Sequence, residues 1–375
     1  MSILLLILGI LLFIGLVVVH EWGHFIMARR GGVDVEEFGI GFPPKAKTIT
    51  KKNGTEYTLN WLPLGGFVRL KGEHDADKTK GSFGAAPLKT KVKIMVAGVA
   101  MNLITAYVML ILLALVGIPK LVDNQFTVKS DERVAQRHMF IGYVEPDSPA
   151  AKAGLKTQDT IESIGPVGGA PQPVTTTEAF PELTKNLAGT SAEVVYRRDN
   201  VIQKTEVQLR STTEVEASKS TDNPKGYLGI APAMYEVDRY TWSAPIVAGG
   251  VIGQFTQLTL KGLGTALGGL FTGHAKQASE QVAGPVGVFV ILQQGTHLGI
   301  QFILMIIAVI SLTLAIMNVL PIPALDGGRL FVTLIYRAIK KPLTEKAEDI
   351  IHGTGFAVLM VLFVLITIVD VKRFF

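Results

Sequence analysis

Leu16-Val17-Val18-Val19-His20-Glu21-Trp22-Gly23-His24-Phe25-Ile26-Met27-Ala28 closes an apolar run that begins at Ile3. Roughly 20 apolar residues rising about 1.5 Å each cross a hydrocarbon core about 30 Å thick, so Ile3 to Ala28 predicts a transmembrane helix. His20 and His24 stand at i and i+4, one turn apart on one face. Two imidazoles so placed can grip one zinc ion, with Glu21 beside a water at the metal. An ionised carboxylate in such a span costs roughly 2.5 to 3.5 kcal/mol on insertion scales, which argues against an idle Glu21. The run lacks a basic leading segment and continues into the histidine motif instead of a small-residue cleavage site. It is therefore read as a retained span and not a signal peptide.

The 375 residues are 48% hydrophobic and only 18% charged, too poor in charge for an ordinary soluble enzyme. Three further spans are expected, Ile94 to Ile118, Ile300 to Pro323, and a shorter one from Gly355 to Val369. The formal net charge is +5, and basic residues crowd the first loop: Arg29, Arg30, Lys45, Lys47, Lys51, Lys52, Arg69, Lys71, Lys89, Lys91 and Lys93. This distribution suits an anionic membrane face and carries no nucleic-acid signal. It places that loop in the cytoplasm, together with the later loop bearing Arg329, Arg337, Lys340, Lys341 and Lys346. Both termini and the long middle segment then face the extracytoplasmic side. Cysteine is absent, which excludes a disulfide framework and a thiolate site, so any metal must be held by histidine and carboxylate.

The expected organisation is a multi-pass α-helical membrane protein with about four transmembrane helices, a membrane-associated β-hairpin region and an inserted α+β domain. Residues 1–30 form the helix with the histidine motif and 31–93 a cytoplasmic or membrane-re-entrant β region. Asn53-Gly54 there signals a hairpin turn between Thr48-Ile49-Thr50 and Tyr57-Thr58-Leu59. The run from Trp61 to Leu70 is too apolar for a free loop and is expected to dip into the membrane against the helices, a peripheral hairpin being the alternative. Residues 94–118 are the second span, 126–210 the α+β domain, and 211–299 a linker with interfacial helices, including Pro245 to Gly273. The third span occupies 300–330, a cytoplasmic loop 331–353, and the fourth span 354–370. The stretch Ile141 to Leu155, with Glu145-Pro146-Asp147-Ser148-Pro149-Ala150-Ala151, resembles the core of a bacterial PDZ domain. Gln158-Asp159-Thr160-Ile161 stands where that family usually has Gly-Asp-x-Ile.

A catalytic zinc takes three protein ligands and keeps a position for water. His74, His138, His274, His297 and His352 lie in loops or near span ends. Asp326 borders an apolar span within Asn318-Val319-Leu320-Pro321-Ile322-Pro323-Ala324-Leu325-Asp326-Gly327-Gly328. Two prolines break the helix there and two glycines permit a tight backbone, so the carboxylate can turn inward. The alternative is a plain loop turn.

His-Glu-x-x-His in the first span and Asn-x-x-Pro-x-Pro-x-Leu-Asp-Gly in a later one resemble the site-2 protease family of intramembrane zinc metalloproteases, in its bacterial RseP-like branch. The PDZ-like insert, Gly65-Gly66-Phe67, Ala97-Gly98 with Asn102, and Gly284-Pro285-Val286-Gly287 match features of that branch. Val99 departs from a usual proline, and Phe42-Pro43-Pro44 from a commoner Phe-Gly-Pro. The resemblance implies zinc as cofactor, ligated by His20, His24 and Asp326, with Glu21 as catalytic base. It also implies substrates that are single-pass membrane proteins pre-trimmed by another protease, such as anti-sigma factors or signal-peptide remnants, cleaved in a bacterial inner membrane. Gly65, Gly66 and Phe67 would hold an unwound substrate segment at a sheet edge, with Asn318 as a clamp. Asn102 is either a support for the metal ligands or a helix-packing residue. The PDZ-like domain, outside the membrane, either binds exposed C-terminal tails or excludes bulky ectodomains by size. Two readings from other classes are a membrane scaffold with an inert metal site and a metal transporter. The intact Glu21 opposes the first, and the lack of repeated helices or several intramembrane carboxylates opposes the second.

Overall fold

The first apolar run is helical throughout. In the computed structural model α1 spans Ser2–Arg30, has no interior proline, and ends where Gly32 takes φ 74° and Val33 N donates to Ala28 O at 2.9 Å, a glycine-assisted stop. The structure describes residues 2–199, 201–221, 223–272 and 283–375. His274 and part of the linker expected over 211–299 lie outside the described residues.

After α1 come β1 (Val35–Lys52), β2 (Thr55–Leu70) and α2 (Leu88–Val116). Next are β3 (Ile118–Pro119), β4 (Arg133–Val144), α3 (Pro149–Lys152), β5 (Thr160–Pro166) and β6 (Gln172–Pro173). They are followed by α4 (Phe180–Asn186), β7 (Ser191–Arg198), β8 (Val201–Gln208), α5 (Thr212–Ser218) and β9 (Ile230–Arg239). Last are α6 (Ala244–Thr272), α7 (Pro285–Gly295), α8 (Ile300–Val319), α9 (Asp326–Ala338) and α10 (Glu345–Phe374). Two units result, Met1–Ala114 with Ser243–Phe375, and Leu115–Trp242.

Four helices of the first unit, α1, α2, α8 and α10, are long and apolar enough to cross a membrane. Their outward side chains include Ile3, Leu4, Leu103, Ile104, Phe356 and Val361, all exposed, as a lipid-facing surface requires. α6 is a continuous helix but not among those four. The fourth span is longer than expected: α10 starts at Glu345, where the Thr344 side chain accepts from Ala347 N, and α9 fills much of the expected loop over 331–353. Hydropathy registers only the apolar part of a helix, so the capped polar turns before it went unread.

Asn53 and Gly54 take φ 52° and 79°, the left-handed pair that a two-residue hairpin turn needs. β1 is used twice. Its first part pairs with the end of β2 (Val35 with Leu70, Gly39 with Phe67, Ile40 with Gly66) and also with its beginning (Phe38 with Tyr57, Gly39 with Thr58). Residues 66–70 are therefore an edge segment, with no second strand paired to them among the described residues. This sheet packs on α1 through Phe25, Ala28, Val35, Phe38 and Leu70, while Phe42, Trp61 and Leu62 stay exposed.

The second unit is a seven-stranded sheet of order β3-β9-β4-β5-β7-β8, with β6 on β5. Its core includes Met139, Ile141, Ile161, Val194, Leu209 and Leu228. The sequence reading ended this domain at residue 210, yet Leu228 is in its core and β9 pairs along β4 from Arg239–Arg133 to Ile230–Val144. Pro224, Gly226 and Gly229 punctuate the chain before β9 and made a continuing domain read as linker. Gln158 takes φ 72°, the left-handed conformation for which glycine is the usual residue.

Candidate metal centre

The i, i+4 spacing on α1 brings the His20 and His24 Nε2 atoms 3.2 Å apart. Asp326, the first residue of α9, reaches them from the opposite end of the chain, with its Oδ2 3.1 Å from each. A tetrahedral zinc with bonds near 2.0 Å spaces its ligand atoms about 3.3 Å apart, so this triangle has the right size. The electronics agree. His24 Nδ1 donates to Ile94 O at 2.7 Å, which leaves the neutral ring with its lone pair on Nε2. Asp326 Oδ2 is buried and receives no hydrogen bond. The lone pairs of His24 and Asp326 thus converge on one point, where a cation would satisfy them.

Asp326 is aimed by its local sequence. Pro321 and Pro323 stop α8, and the chain doubles back so tightly that a Cβ on Gly327 would lie 2.3 Å from Val319 O, and one on Gly328 1.9 Å from Ile322 O. No other residue fits at either position. On the α2 side, a Cβ on Gly98 would lie 2.3 Å from His24 Nε2, and one on Gly23 2.5 Å from Ala97 O. The two helices therefore meet through glycines, the usual means of close approach in a membrane. Sequence reading had Gly98 only as part of a matching motif. Its contact with histidines more than seventy residues earlier has no local signal.

Asn102 is buried, and its amide Nδ2 lies 3.3 Å from His20 Nδ1 while its Oδ1 has no partner. Its carbonyl accepts from the Ser311 hydroxyl of α8 at 2.8 Å. The Asn102 side chain thus faces His20, while its backbone joins α2 to α8. The Val68 backbone N–H bears on the Glu21 carboxylate, and a Cβ on Gly66 would come within 3.6 Å of the Glu21 Cγ. The edge segment of β2 therefore runs past Glu21. Gly65, at φ 155°, sits against Phe42 and Val17, and the Phe67 ring covers Gly39. Asn318 is not joined to this group by any hydrogen bond among the described residues, and its Nδ2 donates to Leu314 O of its own helix at 3.0 Å.

Asp370 was missed altogether. It is buried within α10, and its Oδ2 accepts from Gly284 N at 2.9 Å and Gly287 N at 2.7 Å. This contact accounts for Gly284-Pro285-Val286-Gly287: a Cβ on Gly284 would lie 2.9 Å from the same oxygen. An acidic residue closing an apolar span was the available signal.

Comparison with known proteins gives the family. The profile described as Peptidase family M50 matches residues 8–362. The "Putative zinc metalloprotease" of Clostridium perfringens is 32% identical, over 97% of both chains. The zinc metalloprotease RasP of Bacillus licheniformis is 30% identical and the regulator of sigma-W protease RasP of Bacillus subtilis 29%, each over 98% of both chains. The chain is a membrane protein and a zinc metalloprotease, and it belongs to peptidase family M50, the site-2 protease family.

Proposed function

We propose that the chain is an intramembrane endopeptidase in which His20, His24 and Asp326 hold the zinc and Glu21 is the catalytic base. The observation that carries this is the triangle of ligand atoms, 3.1 to 3.2 Å on a side, with its unpartnered carboxylate oxygen. Bound zinc supplies Lewis acidity, polarising the scissile carbonyl and bringing water within reach of deprotonation near neutral pH. Glu21 takes a proton from the attacking water and delivers it to the departing amine. His24 is held in the ligating tautomer by Ile94 O. Ligation through His20 Nε2 leaves the ring proton on Nδ1, so Asn102 turns its amide by half a turn and offers Oδ1 as acceptor.

Substrates are single-pass membrane proteins already shortened by another protease. A transmembrane helix hides its carbonyls in its own hydrogen bonds, so the segment must unwind before cleavage. The edge formed by residues 66–70, including Gly66 and Phe67, accepts it as an added strand beside Glu21. Gly65 leads into that edge, and Asn318 retains Oδ1 as a clamp for the strand. The 115–242 unit is a PDZ-like domain on the extracytoplasmic side of a bacterial inner membrane, where it screens ectodomains by size. The RasP relative named as a regulator of sigma-W protease supports a membrane-bound regulatory substrate.

The test is zinc content and turnover of purified protein on a transmembrane substrate. Glu21→Gln should keep stoichiometric zinc and lose cleavage, whereas Asp326→Ala should lose both. Stoichiometric zinc with normal turnover in Asp326→Ala would show that another residue is the third ligand. Full activity in Glu21→Gln would remove the base from the mechanism.

A further inference from the structure

The last helix touches the loop that carries Asp326 at two adjacent turns. Gly355 of α10 lies so close to Pro323 that a Cβ on it would come within 2.4 Å of the Pro323 Cβ and 2.6 Å of its carbonyl oxygen. One turn earlier, His352 Nδ1 accepts the Ala324 N–H at 3.2 Å. Ala324 is two residues before Asp326 and takes φ 78°, a left-handed conformation that a residue with a Cβ does not keep unaided. The loop has few bonds of its own. Pro321 and Pro323 have no N–H, Ile322 N donates to Leu320 O, and Leu325 N donates to Ile322 O. The Ala324 N–H is thus the donor by which a neighbouring helix fixes the strained residue.

The other end of the ring bears on this. His352 Nε2 is buried and has no hydrogen-bond partner. A buried polar atom left without a partner is destabilising, and an apolar side chain of similar size would have avoided it. Packing alone therefore does not account for histidine here; the Nδ1 acceptor does. Other contacts hold the start of α10, among them Asp75 N to Glu348 Oε2 at 2.9 Å, Arg329 Nε to Glu348 Oε1 at 3.6 Å and His74 Nε2 to Asp349 Oδ1 at 2.8 Å. None of these reaches the residues between Pro321 and Leu325.

We propose that His352 is a positioning residue for the metal centre. By holding Ala324 in its left-handed conformation, it sets the direction in which Asp326 leaves the turn toward His20 and His24. This inference rests on the reading of Asp326 as a zinc ligand.

The test compares wild type, His352→Phe, His352→Asn and Asp326→Ala as full-length protein in detergent. The readouts are zinc affinity by chelator competition, kcat and KM on a transmembrane substrate, and the melting temperature. Phenylalanine keeps a ring without an acceptor, whereas asparagine keeps an acceptor at the Nδ1 position without the ring. Loss of support around a metal ligand typically weakens metal affinity about 10- to 100-fold. Because His352 acts through the backbone, about tenfold weaker zinc binding and a matching fall in kcat are expected in His352→Phe, with KM and melting temperature little changed. His352→Asn should recover most of both. If His352→Phe binds zinc like wild type while Asp326→Ala has lost it, the positioning role is wrong and the ligand assignment stands. If His352→Asn is as weak as His352→Phe, the acceptor is not what matters and the proposal is overturned. If Asp326→Ala keeps its zinc, the ligand assignment itself fails, and this inference with it.

Discussion

Gly98 of the second helix stands where a methyl group would lie 2.3 Å from the His24 Nε2 and 2.8 Å from the His20 Nε2. The two imidazoles thus occupy the space that any other residue's side chain would need. Gly98→Ala should push one ring off the metal and reduce zinc affinity at least about tenfold. Gly15→Ala, on the same bundle but with nothing within 4 Å of its added Cβ, should keep full zinc and activity. Metal analysis of the two purified variants decides this, and equal zinc content would refute the steric role of Gly98.

Gln158 occupies a left-handed position at φ 72°, where a residue with a Cβ costs about 1 kcal/mol relative to glycine. Gln158→Gly should therefore slow hydrogen exchange of the Met139 and Ile161 amides in the neighbouring strands, by a factor of about five for about 1 kcal/mol. Faster exchange would show that the Gln158 side chain outweighs the backbone strain.

His74 joins the segment after β2 to the start of α10. Its Nε2 lies 2.8 Å from Asp349 Oδ1, and that carboxylate, with Glu348 and Glu345 nearby, raises the His74 pKa above its ordinary value near 6.5. Protonated His74 contributes stability in full below the ordinary value, and the contribution is lost as pH rises through the raised one. Thermal unfolding of the full chain should show a fall in midpoint above about pH 6.5 that His74→Gln lacks. Identical pH profiles for the two proteins would contradict the assignment.

The orientation rests on basic crowding between Arg29 and Lys93. A cysteine replacing Lys51 should escape an impermeant thiol reagent in intact cells, and one replacing Lys204 should react once any outer barrier is opened. The absence of native cysteine leaves no background labelling. The reverse pattern would invert the topology.

The arrangement of His20, Glu21 and His24 was legible because it is local, fixed by the pitch of one helix. Asp326 could be named because Pro321, Pro323, Gly327 and Gly328 mark an unusual turn, although its distance to the histidines could not be known. What Gly98, His352 and Asp370 touch could not be read from the sequence, although an acidic residue closing an apolar span marked Asp370. Each acts through a neighbour 28 to more than 80 residues away, and no periodicity encodes such a meeting. The boundary at residue 210 failed for a related reason. Turn residues mark where a chain bends, but not whether it returns to the same sheet, as β9 does.

Asp370 also sets the mechanical character of the last helix. A carboxylate within a span costs a few kcal/mol, and here it is offset by two N–H donors at the positive end of α7. Near its other end Glu348 is fastened by Asp75 N and Arg329. Between these anchorages most side chains, from Phe356 to Leu365, are exposed. The helix is a beam held near both ends and, beyond its contacts at His352 and Gly355, without close neighbours along most of its middle. Exchanges of one apolar residue for another should accordingly accumulate without harm along its centre, while a single change at either pin alters how the whole length lies against its neighbours.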